Sequence, residues 1–173
     1  MTHRYFFGLM PDEVTRDRLV NICALLRRGD GKLVQRKNLH LTLAFLGLQE
    51  AAVIDQLREG AAMIQAPAFT LQLDQSGWWR KPQVVWLGAL SPPQTLLDLV
   101  TALTSLQMAQ GIHTDNRPYL AHLTIARKVT KKPGELAFDP VTWPVSSFSL
   151  VQSRTLPAGA EYEVLETWPL SSA

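Results

Sequence analysis

One four-residue pattern occurs twice in the chain and constrains its fold more than any other feature. Residues 40–43 read His-Leu-Thr-Leu, and residues 122–125 read His-Leu-Thr-Ile. In a β-strand, side chains two residues apart point to the same face. Each copy therefore predicts a strand with an apolar side for a core and an imidazole and a hydroxyl on the other side. Two such strands facing each other would form a cleft lined by both histidines and both threonines.

The segments that precede the two motifs also repeat. Each motif follows an apolar segment with a glycine, then a proline, a helical pattern and a polar loop. Gly8 precedes His40 by 32 positions, and Gly88 precedes His122 by 34. A unit this long that occurs twice indicates a duplication rather than a solenoid. The alternative interpretation, that both histidines are ordinary strand residues bonded to a neighbour, suits one isolated motif better than two in matching contexts.

The duplication predicts a single domain, residues 1–173, made of two pseudo-symmetric lobes, with the repeat covering about residues 4–80 and 83–170. A pseudo-two-fold axis would place the two motif strands face to face across a groove. Hydrophobic residues make up 46% of the chain and charged residues 18%, which is typical of a globular protein. The single cysteine, Cys23, excludes an internal disulfide and lies in an apolar helical pattern that predicts a buried thiol.

Local patterns predict the secondary structure of both lobes. Pro11, Asp12 and Glu13 favour the start of a helix, because proline suits the first turn and the acids face its positive end. Residues 76–81 contain Gly77 and predict a hairpin connection. The other predicted elements are strands at 4–10, 38–46, 69–73 and 83–90, and helices at 49–65 and 94–110.

Several functional classes are disfavoured by features that the sequence lacks. It shows no signal-peptide pattern and no run of about 18 apolar residues, so we expect a cytoplasmic protein and no membrane partner. The net charge of +2 is too small to predict a long nucleic-acid footprint, whereas a small anionic ligand fits it. No G-x-S-x-G motif, dinucleotide fingerprint or Cys/His cluster with metal-ligand spacing is present, so neither a metal nor a cofactor is expected. His113 lies in a polar loop that predicts a surface position, and His3 lies near the terminus.

Two histidines on opposite walls of a cleft suit acid–base chemistry. An unperturbed imidazole titrates near neutral pH, so one histidine can accept a proton from a nucleophile while the other donates one to a leaving oxygen. Threonine hydroxyls can donate hydrogen bonds to non-bridging phosphate oxygens. The pattern therefore favours a phosphoester reaction that requires no metal ion.

The residues that carry these features also resemble a known family. The stretches R-Y-F-F-G-L-M-P, N-L-H-L-T-L-A-F-L-G, V-V-W-L-G and H-L-T-I-A-R are similar to the bacterial 2′-5′ RNA ligase/RNA 2′,3′-cyclic phosphodiesterase family of two-histidine phosphoesterases. The resemblance implies an α+β bilobal fold in which two antiparallel sheets line a cleft and helices lie outside. It also implies metal-independent opening of an RNA-terminal 2′,3′-cyclic phosphate to a 2′-phosphate, with reversible ATP-independent 2′-5′ ligation.

The same resemblance implies roles for individual residues. They are His40 as proton donor, His122 as proton acceptor, Thr42, Thr124 and Arg127 as phosphate-binding residues, and Phe45 as a base-stacking residue. Phe45 and Arg127 each lie five positions after a motif histidine, so simple alternation would turn them away from the cleft and a bulge is required. The alternatives are a core position for Phe45 and a solvated strand end for Arg127. Tyr162 lies where the family usually has a Tyr-x-Pro-Leu pattern, but the proline is absent here, which leaves its role open.

Three further features leave alternatives open. Basic residues before the first motif and after the second could steer an RNA end or belong to ordinary solvated loops; they are Arg27, Arg28, Lys32, Arg36, Lys37, Lys128, Lys131 and Lys132. Trp78 and Trp79 could stack on bases or pack over the hairpin. The expected partners are RNA ends or small cyclic nucleotides, bound by a monomer. The alternatives to a cyclic phosphodiesterase are a non-catalytic RNA- or nucleotide-binding module and a phosphodiesterase for 2′-5′ linked oligonucleotides.

Overall fold

The computed structural model describes residues 3–26 and 29–172, and Arg27 and Arg28 of the first basic stretch lie outside the described residues. The helices are α1 (Glu13–Cys23), α2 (Ala51–Ala62) and α3 (Gln94–Ala109). The strands are β1 (His3–Leu9), β2 (Lys32–Leu33), β3 (Leu41–Gln49), β4 (Phe69–Leu73), β5 (Gln75–Trp79), β6 (Val84–Gly88), β7 (His122–Arg127), β8 (Val141–Val145), β9 (Ser147–Leu156) and β10 (Gly159–Pro169).

The helices form where local sequence signals predict them. Asp12 is the N-terminal cap of α1, and its carboxylate accepts a 2.7 Å hydrogen bond from the main-chain N–H of Thr15. The leucine stripe of α3 is buried, with Leu96, Leu99 and Leu103 fully shielded from solvent. Helix α2 is shorter than predicted. At its N-terminal end this is because strand β3 continues through Gln49.

The strands form antiparallel sheets. One sheet has the order β10-β9-β1-β3-β7-β6-β5, with β2 beside β7, and the other consists of β4 and β8. Among the described residues β3 and β7 pair at one position, Leu41 with Leu123, so the large sheet has two halves joined by a narrow link. The predicted α+β fold with antiparallel sheets is confirmed.

Strand β5 corrects one local prediction. Residues 75–79 form a strand that pairs with β6, whereas the sequence predicted a hairpin connection at 76–81. The turn follows β5 instead, and both tryptophans of this segment lie on the strand. Strand β9, from the second half of the sequence, pairs with β1 from the first half, just as β5 from the first half pairs with β6 from the second. Each half of the large sheet therefore contains one strand from the other half of the sequence. Glycine is a turn signal in sequence, but Gly77 lies inside β5, where the ring of Trp86 occupies the space of a side chain.

The apolar sides of both motif strands face the core. Leu41, Leu43, Leu123 and Ile125 are all buried, as the His-x-Thr alternation predicts. Cys23 is buried as well, and loss of solvation raises the pKa of its thiol to about 11. A thiol with this pKa is protonated and unreactive at neutral pH.

The helices are too short or too polar to serve as membrane spans. Throughout residues 3–26 and 29–172, none combines the length and the apolar composition that a bilayer crossing requires.

Candidate active site

His40 immediately precedes β3 and is held by two hydrogen bonds. Its Nδ1 is 2.7 Å from the carbonyl oxygen of Asn38, which can only accept, so Nδ1 carries the proton. Its Nε2 is 3.1 Å from the hydroxyl oxygen of Thr42 and can accept that hydrogen. The ring stacks on Phe6, with centroids 4.6 Å apart, and meets Tyr162 edge to face at 4.9 Å. These contacts fix both the tautomer and the orientation of the imidazole.

His122 is held in the same way on the other half of the sheet. Its Nδ1 donates to the carbonyl oxygen of Leu120 over 2.8 Å, again two residues back along the chain. The ring contacts Trp79 edge to face, with centroids 4.7 Å apart. Both motifs thus place a protonated Nδ1 against the main chain and leave Nε2 as the basic atom.

The two motifs share one small cleft. It has a volume of about 170 Å³ and is lined by His40, Thr42, His122, Thr124, Arg127 and Trp79, among others. This volume is below the several hundred Å³ of drug-sized pockets. The cleft therefore suits one phosphate and its immediate surroundings, with the rest of a larger ligand outside.

Matching β-bulges turn the residue five positions after each motif histidine toward the side of the sheet that bears the histidine. In the first half, Phe7 pairs with Ala44 and Gly8 with Thr42, so Leu43 is the extra residue. In the second half, the register shifts in the same way at Ile125, which is flanked by pairs at Thr124 and Ala126. Each bulge reverses the alternation after the threonine, which is the change that the i+5 spacing required.

The bulges have different results for Arg127 and Phe45. Arg127 lines the cleft beside the second motif. Phe45 is 60% exposed, so the alternative of a core position is wrong, but it is not one of the residues lining the cleft. It lies on the same strand as Thr42, beyond the bulge at Leu43.

Burial makes both imidazoles weaker bases than free histidine. Loss of solvation is the main cause that lowers the pKa of His40 to about 4, and the positive charge of Arg127 adds to it. Burial also lowers the pKa of His122, again with a contribution from Arg127. The carbonyl partners of the two Nδ1 atoms oppose these shifts. Both rings are therefore neutral at pH 7 in the free protein.

Several residues around the site carried no clear signal in the sequence. Tyr162 packs against His40 and Phe6, although the family pattern around it is incomplete. Trp79 lines the cleft, whereas its neighbour Trp78 donates its indole N–H to the carbonyl of Val129 over 3.0 Å and has a packing role. Alternation along β5 separates the two tryptophans, and it depends on the pairing of β5 with β6, for which the sequence carries no local signal.

Arg36 and His113 do not line the cleft. Arg36 of the first basic stretch bonds the carboxylates of Glu13 and Asp17 on α1, at 2.6 and 2.9 Å. His113 is a loop residue whose carbonyl accepts from Gln107. In the part of the chain that the structure describes, no three His, Cys, Asp or Glu side chains cluster as metal ligands would.

Comparison with known proteins gives the family of this site. Residues 12–155 match the 2′-5′ RNA ligase superfamily. The chain is 37% identical over 174 residues to the RNA 2′,3′-cyclic phosphodiesterase of Escherichia coli (strain K12), covering 97% of each chain. It is 32% identical over 183 residues to the protein of the same name from Thermus thermophilus, covering 96% of this chain and 90% of that one.

Solved structures agree with the sequence matches. The crystal structure of E. coli LigT complexed with 3′-AMP superposes with a TM-score of 0.89 at 32% identity, covering 99% of each chain. The apo form superposes with a TM-score of 0.88, covering 98% of each chain. The family suggested by the two motifs is therefore confirmed, and this chain belongs to the 2′-5′ RNA ligase superfamily.

Proposed function

We propose that this protein is a phosphodiesterase that opens the terminal 2′,3′-cyclic phosphate of RNA to a 2′-phosphate. The observation that carries the proposal is the pairing of two imidazoles, each fixed through Nδ1 to a main-chain carbonyl, in one cleft with two threonines and Arg127. The names of the E. coli and T. thermophilus relatives support the same activity. Small cyclic nucleotides would be substrates too, because they contain the same reacting group.

The reaction needs one proton acceptor and one proton donor. Nε2 of His122 accepts a proton from water as the water oxygen bonds to phosphorus. The bond between phosphorus and the 3′-oxygen breaks, and Nε2 of His40 donates a proton to that oxygen. Thr42, Thr124 and Arg127 hold the non-bridging oxygens, and arginine suits this task because it can donate two parallel hydrogen bonds.

The low pKa of His40 is compatible with its role as donor. An imidazolium of low pKa is a strong acid and gives up its proton readily to an alkoxide leaving group. The cost is that few free molecules carry this proton at neutral pH. A bound phosphate lowers that cost, because its negative charge offsets the positive charge of Arg127 and favours the charged imidazole.

The proposed mechanism uses one chain and no additional group. The residues that line the cleft come from both halves of this chain, which supports activity as a monomer. Two imidazoles supply both proton transfers, so the proposed mechanism uses neither a metal ion nor an organic cofactor. RNA ends as substrates also favour a cytoplasmic location.

The test is hydrolysis of an RNA oligonucleotide ending in a 2′,3′-cyclic phosphate, with EDTA present. Wild type and His113→Ala, the control with a histidine removed outside the cleft, should both yield a 2′-phosphate. His40→Ala and His122→Ala should each lose activity by a factor of about 10² to 10⁴. Binding without turnover by the wild type would favour the alternative of a non-catalytic RNA- or nucleotide-binding module. Turnover of 2′-5′ linked oligonucleotides but not of the cyclic end would favour the other phosphodiesterase.

A further inference from the structure

Trp79 is one of four apolar or aromatic residues that line the cleft. Val34, Pro82 and Val84 line the cleft together with this tryptophan. The three aliphatic side chains can neither transfer a proton nor bind phosphate, and the proposed hydrolysis gives no role to Trp79. An aromatic ring among aliphatic side chains is instead suited to the face of a nucleobase.

Trp79 packs against a second tryptophan, Trp86, whose ring fits only because residues 77 and 88 are glycines. The rings of Trp79 and Trp86 are tilted by 38°, with centroids 5.1 Å apart. The indole of Trp86 occupies space that a side chain at Gly77 would fill, and a Cβ at Gly88 would lie 2.8 Å from the same ring. Glycine inside a strand weakens the sheet, so this arrangement has a cost in stability.

A second cost is the buried N–H of Trp86. The residue is 8% exposed, and its Nε1 has no hydrogen-bond partner in the described part of the chain. Leaving a buried donor unpaired opposes folding. Trp86 also lies opposite Thr124, at the position that Gly8 occupies opposite Thr42 in the other half. The two halves therefore differ here, and only the His122 side has a tryptophan supported by another.

We propose that Trp79 is a stacking platform for the base of a second nucleoside, the one that supplies the 5′-hydroxyl in the 2′-5′ ligation that the family resemblance implies. The inference rests on the proposed function, in which His122 accepts the proton of the nucleophile. Trp79 contacts His122, so a base on Trp79 belongs on the nucleophile side of the phosphate. Phe45, on the strand of the other motif, remains available to the nucleoside that carries the cyclic phosphate.

The step that this platform serves is balanced without another reactant. The 5′-oxygen bonds to phosphorus, the bond from phosphorus to the 3′-oxygen breaks, His122 takes the 5′-hydroxyl proton, and His40 protonates the 3′-oxygen. The product is a 2′-5′ phosphodiester with a free 3′-hydroxyl. In the reverse direction, the 3′-hydroxyl attacks phosphorus and expels the 5′-oxygen, which regenerates the cyclic phosphate.

The test combines two substrates with matched variants. One substrate is adenylyl-2′,5′-adenosine, and the other is the same ester with the 5′-linked ribose lacking its base. Wild type should cleave the first with a kcat/KM about tenfold higher, the gain expected from stacking one base. Trp79→Leu should abolish this gain, Trp79→Phe should retain much of it, and Tyr162→Leu, which removes an aromatic beside the other histidine, should leave it unchanged. Any disturbance of His122 affects both substrates equally, so the ratio isolates the base contact.

Two outcomes would contradict the proposal that Trp79 is a stacking platform. One is an equal gain in wild type and Trp79→Leu, and the other is no gain in wild type while cyclic phosphates are still hydrolysed. Absence of all turnover would instead contradict the proposed function. Calorimetry in a His40→Ala background then tests the platform by itself, because adding Trp79→Leu should weaken binding of the base-bearing substrate about tenfold and leave the abasic one unaffected.

Discussion

The hydroxyl of Tyr119 donates a 2.8 Å hydrogen bond to the main-chain carbonyl of Thr42. Tyr119 belongs to the loop that leads into His122, so this bond connects the approach to one motif directly with the other motif. Gln107 on α3 adds a second connection, because its amide donates to the carbonyls of Phe45 and His113 at 2.9 and 3.1 Å. Since the strands themselves meet only at Leu41–Leu123 among the described residues, these two polar side chains help to set the spacing of the two imidazoles.

Tyr119→Phe should therefore lower kcat more than it changes KM. The variant keeps the ring and removes one hydrogen bond, which should cost about 0.5–1.5 kcal/mol in the free energy of unfolding. We expect a several-fold loss of kcat, because small changes in geometry are costly for proton transfer. Tyr5→Phe, at a buried tyrosine in the core, is the control. A kcat equal to that of wild type in Tyr119→Phe would show that the bond has no role in spacing the motifs.

The pH dependence of kcat/KM should be bell-shaped, with an optimum at acidic pH. One histidine must be neutral and the other protonated, so the rate is highest between their two pKa values in the free protein. These are about 4 for His40 and a value below 6.5 for His122. Arg127→Gln should shift the alkaline limb upward, because the arginine charge lowers both pKa values. An optimum above pH 7 in the wild type would contradict this electrostatic account.

The stability of the fold should fall as the pH drops from 6.5 to 4. The pKa of His40 is lowered in the folded protein, so in this range the unfolded chain binds a proton that the folded protein does not. The loss from this residue is up to about 3 kcal/mol. Urea denaturation at pH 7, 5.5 and 4 measures it, and His40→Gln should show a smaller decrease. Equal pH dependence of the two proteins would mean that His40 is not the group responsible.

Phe45→Ala should weaken the binding of substrates that carry a base on the nucleoside with the cyclic phosphate. Loss of one stacking contact should raise KM for the RNA oligonucleotide about tenfold. Leu48→Ala is a matched control, since Leu48 is 58% exposed on the same strand against 60% for Phe45. Similar KM values for Phe45→Ala and Leu48→Ala would remove Phe45 from the proposed binding residues.

The features that sequence predicts here are those set by local periodicity. The apolar sides of the motif strands, the cap of α1 and the stripe of α3 each depend on spacing within a few residues. The need for a bulge before Phe45 and Arg127 also followed from spacing, but its location at Leu43 and Ile125 depends on the neighbouring strand.

The features that were missed depend on which strands pair. Aligning Gly8 with Gly88 was wrong by two residues, because Trp86 lies opposite Thr124 where Gly8 lies opposite Thr42. The spacings of 32 and 34 residues already contained this offset. The tryptophan pair, its two glycines and the exchange of β5 and β9 between halves are long-range packing, for which a single sequence gives no local pattern.

The assignment of the two histidines is tested most directly by changing the leaving group. In a cyclic substrate with sulfur in place of the bridging 3′-oxygen, the thiolate leaves without a proton, so the donor becomes dispensable while the acceptor is still required. We predict that His40→Ala hydrolyses this substrate at nearly the wild-type rate, whereas His122→Ala remains inactive. Rescue of His122→Ala instead would reverse the two roles, and rescue of neither variant would contradict paired acid–base catalysis in this cleft.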